Sequence, residues 1–560
     1  MTIRTGLTRA AMAWATAMLF IIESPAQDLE SIGDQKPVTV SGSIGVSTTF
    51  YDQTGIGGSR RPFTWVVSGG ITPMIYGVDF PVSFTISAEE RSFRQPFNQF
   101  GMSPGYGPVR VHAGYRSMTF SPYTLSGVTF LGGGLEAAAG RLRLAAMSGR
   151  LQRAVEEDTT NPENQAAYDR HGWGAMIGYA DEAGNSFDLS LLKARDDTSS
   201  LRKRPVVEEV LPMENTVLGG SFRVVIAPGL SVDGAVGASL VTRDITSGPM
   251  DVDTSSIPEF LLKLHDLRST TSLAIASRAG MTVTFKSIGL RAGYERIEPG
   301  YTSLGAYYFA TDLETWTIAP SVELMESRLR LSGSVGLQRD HLMGIKVSRT
   351  DRVIGSATIN WNASEAFSID GQFTNYSTGQ SAGRMAGNDS ILARDVTRSA
   401  SLSPRLVLQN ETASHSFMLT AGYQSYTDLS AFTGGLSNTD ARNMAIHYGF
   451  TGIESHLSLN SSLSYNDASS GDRRGRTVGA SIGGALPLLN ESLSLAVNVG
   501  YARTGIGLDD LGGNVFSEGL TAGYRPTEYD AIHLIINGTQ SNGFAPTTET
   551  SATFGYTRGF

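Results

Sequence analysis

From Val38 onward, apolar and polar residues alternate with a period of two in blocks of about 11 to 15 residues separated by turn-forming stretches. In the block 493–501, Leu493, Leu495, Val497, Val499 and Tyr501 share one face, and Ser494, Ala496, Asn498 and Gly500 share the other. Blocks 456–465 and 329–339 repeat the scheme, with Leu457, Leu459, Leu463 and Tyr465 opposing Ser458, Asn460, Ser462 and Ser464, and with Leu329, Leu331, Val335 and Leu337 opposing Arg330, Ser332, Ser334 and Gln338. About 24 such blocks run from 38–51 to 548–560, and at about 3.3 Å per residue and a tilt near 40° each crosses an apolar band of roughly 25 Å. Tyr recurs at the ends of the apolar faces, where a membrane interface favours it. A soluble sandwich or propeller would use shorter strands. The pattern predicts an all-β, antiparallel transmembrane β-barrel of about 24 strands.

Connection lengths carry a second signal. From residue 169 onward, short links such as 181–184, 227–229, 326–328, 363–365, 409–412 and 526–528 alternate with longer ones such as 196–215, 243–268, 298–314, 379–395 and 427–440. Short turns on the periplasmic side and long loops outside send the last strand downward. Segment 121–140 breaks the pattern, because it falls where parity calls for a short periplasmic turn. It is expected to fold into the lumen as a plug or constriction, its Gly132, Gly133 and Gly134 permitting close backbone approach; a long periplasmic turn is the alternative. In the longest outer loop, Ser256-Ile-Pro-Glu259 has the form of a capping box, and Ile257, Phe260, Leu261, Leu264 and Leu267 follow at helical spacing. That predicts a short amphipathic helix whose apolar stripe packs against its own loop, with packing over the pore mouth as the alternative.

The two ends of the chain add to this. Arg4 and Arg9 precede an apolar run from Ala11 to Ile22 and the small-residue site Ser24-Pro25-Ala26, the form of a secretory signal at 1–26. Residues 27–37 then form a short periplasmic segment, and the barrel occupies 38–560. The final residues, Ser551-Ala-Thr-Phe-Gly-Tyr-Thr-Arg-Gly-Phe560, put Ala552, Phe554, Tyr556 and Phe560 on one face. They resemble the carboxyl-terminal signature of bacterial outer-membrane β-barrel proteins, with Arg558 standing where that pattern has an apolar residue. The resemblance implies residence in the bacterial outer membrane among its lipids, and recognition of the last strand by the barrel-assembly machinery.

Composition agrees with a β protein, with 64 Gly in 560 residues and a mean hydropathy of -0.09 that alternation renders uninformative. The formal net charge of -9 and the scattered acids give no sign of nucleic-acid binding. With no Cys, there is neither a lipoprotein anchor nor a cysteine-ligated metal site. The eight His show no metal-protease spacing, and no cofactor motif is present. Gly479-Ala-Ser-Ile-Gly483 matches a nucleophile elbow but lies inside an alternating block, so no enzyme activity is read from it.

Charges on polar faces are the remaining candidates. Glu89, Arg110, Arg116, Glu136, Arg141, Arg143, Arg291, Glu295 and Arg330 are expected to line the pore or its constriction, Arg110, Arg116, Arg141 and Arg143 flanking the irregular segment. The same pairs would also satisfy one another across a polar interior. A barrel of about 24 strands would leak if open. Occlusion is expected from inward-folded loops, the 121–140 segment or another protein. The favoured function is an outer-membrane channel for passive or facilitated solute passage, constricted by internal loops. The other reading is a non-transport scaffold in a secretion, export or adhesion complex of the envelope.

Overall fold

The computed structural model describes residues 38–560 except 56–59, 77, 89–96, 158–164, 204, 206–209, 251–262, 308, 345, 347, 383–392, 431–434, 436, 472, 508–511 and 544–545. The expected signal segment 1–26, the 27–37 segment and most of the predicted loop helix lie outside these residues. Of that helix, residues 263–267 are described; Lys263 and Leu264 are helical, and the chain leaves the helix at His265, before the predicted Leu267.

Period-two alternation becomes one antiparallel sheet of 28 strand segments. It closes on itself where the strand Val38–Gly55 pairs with Thr547–Gly559, from Ser43↔Gly559 to Gly55↔Thr547. Two staves are broken by proline. Val78–Asp79 and Val82–Ser87 flank Pro81, and Gln99–Met102 and Gly105–Tyr106 flank Pro104. Proline has no N–H to give the ladder, yet both carbonyls still accept, Pro81 from Ser103 and Pro104 from Val111 at 2.9 Å each. The barrel therefore has 26 staves.

The predicted architecture is thus observed with two more strands than expected. One is the broken stave over 99–106. The other corrects the reading of segment 121–140: Ser126–Ala139 is a wall strand, paired with Val109–Thr119 on one side and Leu142–Gln152 on the other. Only the stretch before it turns inward. Because the two additional staves come as a pair, every later link keeps its expected side.

Exposed side chains mark the outward face. Val111, Leu135, Leu142, Phe187, Leu189, Leu218 and Phe222 project outward, as do Trp316, Ile318, Leu463, Val478, Ile482 and Phe554. Their strand neighbours face the lumen. Two clusters of buried apolar residues lie inside the barrel. Met118, Phe120, Leu125, Phe130, Met147, Leu192 and Val217 form one cluster, and Tyr123, Ala235, Ala276, Ile297 and Tyr301 form a second. Both coat the inner wall between 109 and 297, where two connecting segments fold back onto it.

Candidate functional site

The site is built from the segment 120–125 and the loop that follows the strand Ile288–Ile297. Both leave the wall and turn into the lumen, where each supplies the other's missing hydrogen bonds. The Tyr301 hydroxyl donates to the Tyr123 carbonyl at 2.6 Å, Ser303 Oγ to the Thr124 carbonyl at 2.5 Å, and the Ser126 N–H to the Gly305 carbonyl at 2.9 Å. The wall holds the pair from behind. Ser239 Oγ donates to the Thr302 carbonyl at 2.5 Å, the Leu304 N–H to Asn215 Oδ1 at 3.0 Å, and the Tyr123 hydroxyl to Glu295 at 2.8 Å. Irregular backbone buried in this way needs every polar group paired.

Close seating requires glycine on the wall. A Cβ at Gly219 would collide with Thr124 and stand 2.8 Å from Ser190 Oγ; one at Gly237 would collide with the Tyr301 hydroxyl and stand 2.6 Å from Tyr123 Cβ. Tyr123, Tyr301 and Phe309 interlock with ring centroids 5.3 to 6.2 Å apart. Burial pushes the Tyr123 and Tyr301 phenols well above their ordinary range, and the Glu295 carboxylate raises Tyr123 further. Both hydroxyls therefore stay protonated donors at any physiological pH.

Below the plug the inner wall is charged. Arg110, His112 and Arg116 share the lumenal face of Val109–Thr119, Glu136 lies directly across from Arg110, and Arg143 follows on the next strand. A recess of ≈ 550 Å³ is lined by Asp79, Arg110, Glu136, Arg143 and Asp188, and a second of ≈ 530 Å³ by Ser83, Ser103, His112 and Arg116. Arg143 donates to Asp188 at 2.6 Å, His112 Nε2 lies 3.1 Å from Glu136, and Arg116 Nη1 donates to Ser83 at 2.7 Å while its buried Nε has no partner among the described residues. Such a wall combines fixed ion pairs with guanidinium groups still able to take an anion.

The other candidates scatter. Arg291 is lumenal and bound to Asp233 at 3.2 Å, and Glu295 anchors the plug. Arg330 meets Glu323 at 3.7 Å near a short turn, and Arg141 leaves the lumen to reach the hydroxyl of outward-facing Tyr179 at 3.4 Å. Glu89 lies outside the described residues. Sequence reasoning missed Asp188, Asp233, Tyr123 and Tyr301. The two aspartates were detectable as lone acids on polar faces, Asp188 between Phe187 and Leu189; the tyrosines carried no signal. Ser481, of the elbow-like pentapeptide, sits within the strand Arg473–Leu488 and meets Ser462 Oγ at 2.7 Å across the ladder.

Around the rest of the circumference the lumenal face carries small hydroxyls paired across strands. Ser332 meets Thr358 at 2.6 Å, Ser334 meets Ser356 at 2.8 Å, Thr374 meets Ser399 at 2.6 Å and Thr49 meets Thr553 at 3.0 Å.

A closed antiparallel sheet with an apolar outer face and a polar inner one is the architecture that spans an outer membrane, and this chain is an outer-membrane β-barrel. No family model and no curated protein matches the sequence. Among solved structures the chain is similar to the translocation pore of the P pilus usher PapC, with 10% identity, 93% of this chain and 99% of that one covered, and a TM-score of 0.35. It is also similar to OccAB3 of Acinetobacter baumannii (12% identity, 67% and 98% covered, TM-score 0.30). A third is the siderophore receptor PirA of Pseudomonas aeruginosa (12% identity, 94% and 81% covered, TM-score 0.40).

Proposed function

We propose that the protein is a channel for passive or facilitated passage of solutes across the outer membrane, narrowed by its own inward-folded segments. The observation that carries this reading is the division of the lumen. One side is coated by a plug hydrogen-bonded to the wall, and the remaining wall presents hydroxyl pairs and charges. A polar, charged wall left uncovered beside the plug suits a water-filled path.

Size supports the same conclusion. With 26 staves about 4.8 Å apart and tilted about 40°, the perimeter is ~160 Å and the backbone diameter ~50 Å. Among the described residues, two short segments on one wall narrow such a bore without filling it. Within it, Arg110, Arg116, Glu136, Arg143, Arg291, Glu295 and Arg330 line the path and set its field, with Arg110 and Arg116 favouring anions. Arg141 is withdrawn from this role because it points to the outer face.

Planar-bilayer recording of the purified protein tests the reading. Discrete conductance is expected, and it should rise when the plug is loosened by Tyr123→Ala with Tyr301→Ala. Silence from both the native protein and the loosened variant would end the channel reading and leave a scaffold for an envelope complex, whose partner would fill the bore.

A further inference from the structure

The outward face is not uniform above its apolar belt. In one sector, Arg442 pairs in register with Tyr423 on one side and Asp467 on the other, and Asp467 pairs with Arg476. Outward-facing Met444, Tyr465 and Val478 form the next row down, followed by Ile446 and Leu463, exposed by 57% and 62%. Tyr423 and Tyr465 thus mark an aromatic girdle at the outer interface, and the arginines stand at its headgroup level.

The acids of this sector are already engaged. Arg474 grips Asp467 through both carboxylate oxygens, with Nε to Oδ1 at 2.8 Å, and the Tyr423 hydroxyl donates to Asp440 at 2.6 Å. Arg442 and Arg476 flank the neutralised Asp467 on strands two apart, about 10 Å, with exposed guanidinium groups. Outward arginines elsewhere near the outer strand ends are held by acids, Arg195 by Glu214 and Asp266, Arg339 by Glu314 and Arg349 by Asp351, and the row beneath this sector continues from Val478 to Arg503. Across the barrel seam the outward row reads Glu518, Gly538, Thr550 and Asp52, without a basic residue.

We infer that this face is a docking site for a phosphate-bearing lipid of the outer leaflet, Arg442 and Arg476 holding the anionic headgroup while its acyl chains lie along Met444, Val478, Ile446 and Leu463. Charge complementarity selects the headgroup, and the apolar rows directly beneath select a lipid over a free anion. The site is independent of the channel reading, since it faces away from the lumen.

Native mass spectrometry of the full-length barrel in detergent, titrated with phosphatidylglycerol or with phosphatidylcholine of the same acyl chains, tests this. The native protein should retain phosphatidylglycerol with an apparent Kd roughly tenfold lower, and the difference should shrink toward unity in about 0.5 M salt, where charges are screened beyond a few ångström. The double variant Arg442→Gln with Arg476→Gln should lose the preference, and Arg442→Lys with Arg476→Lys should keep most of it. Equal retention of both lipids by the native protein would overturn the inference without recourse to any variant. So would a preference that survives the glutamine pair, or displacement of the lipid by millimolar inorganic phosphate.

Discussion

At the scale of single residues, what matters is which charges are already spent. Arg143 is committed to Asp188, whereas Arg116 offers an unpartnered Nε and Arg110 faces Glu136 across the ladder. Arg110→Glu with Arg116→Glu should move the reversal potential in a salt gradient toward cation preference, while Arg141→Glu, on the outer side, should leave it in place. A second buried charge system lies on the outside of the wall. His265, on the outer loop that ends at Thr271, sits 2.9 Å from Thr216 Oγ1 and 2.8 Å from Thr242 Oγ1, with Lys193, Arg195, Glu214 and Asp266 around it. Burial, aided by the Lys193 ammonium, lowers its pKa to about 4. A histidine depressed in this way favours the docked loop only while neutral. That contribution is complete above about pH 6.5, the undocked value, and is lost as pH falls toward 4. Hydrogen exchange of residues 263–270 should accelerate across that window in the native protein, and His265→Gln should flatten the dependence.

At the scale of elements, the plug explains both what alternation revealed and what it concealed. Along Ser126–Ala139 the inward residues Val128 and Phe130 are apolar because they pack on Phe120 and Leu125, so the polar face that marks a wall strand is missing. Gly132, Gly133 and Gly134 remove the side chains from the next turn of the pattern. Stave 99–106 escaped for another reason: Pro104 divides it into pieces of 4 and 2 residues, too short to show a period. The charged face of Val109–Thr119 was legible, because Arg110, His112 and Arg116 alternate cleanly with Val111, Ala113 and Tyr115. The seat of the plug offers its own test. Gly237→Leu or Gly219→Val should cost about 2 kcal/mol of overpacking. The cheapest relief is expulsion of Tyr123 and Tyr301 from the wall. Conductance above that of the native barrel, with faster hydrogen exchange at 121–125, is the expected outcome; unchanged exchange would mean that the wall yields instead.

At the scale of the whole molecule, closure is decided at one seam. Phe560 and Gly42 exchange backbone hydrogen bonds of 3.0 and 3.1 Å, and Gly42 holds φ = 144° with the Gly70 carbonyl where a Cβ would stand. Any side chain at 42 must therefore push the two strands of the first hairpin, Val38–Gly55 and Phe63–Ile75, apart beside the seam. Gly42→Val should destabilise the closed barrel by about 2 kcal/mol and lower the temperature at which it loses its compact migration on a gel. Arg558, discordant as a lipid-facing charge, is answered by Asp530 on the neighbouring strand at 3.4 Å, with the Tyr556 hydroxyl at 2.6 Å from the same carboxylate oxygen. That pairing keeps the periplasmic rim of the seam locally neutral.

The sequence by itself determined the class of fold, the sidedness of the links after residue 169 and the face on which each clean strand carries its charges. It could do so because a membrane on one side and water on the other impose a period of two that each strand obeys locally. Only the tertiary structure decided the number of staves, the inward course of 120–125 and its lock with Tyr301, and the partners of Glu295, Arg143 and Arg558. Those depend on which residues meet after closure, across separations such as the 178 positions between Tyr123 and Tyr301, where no local period reaches.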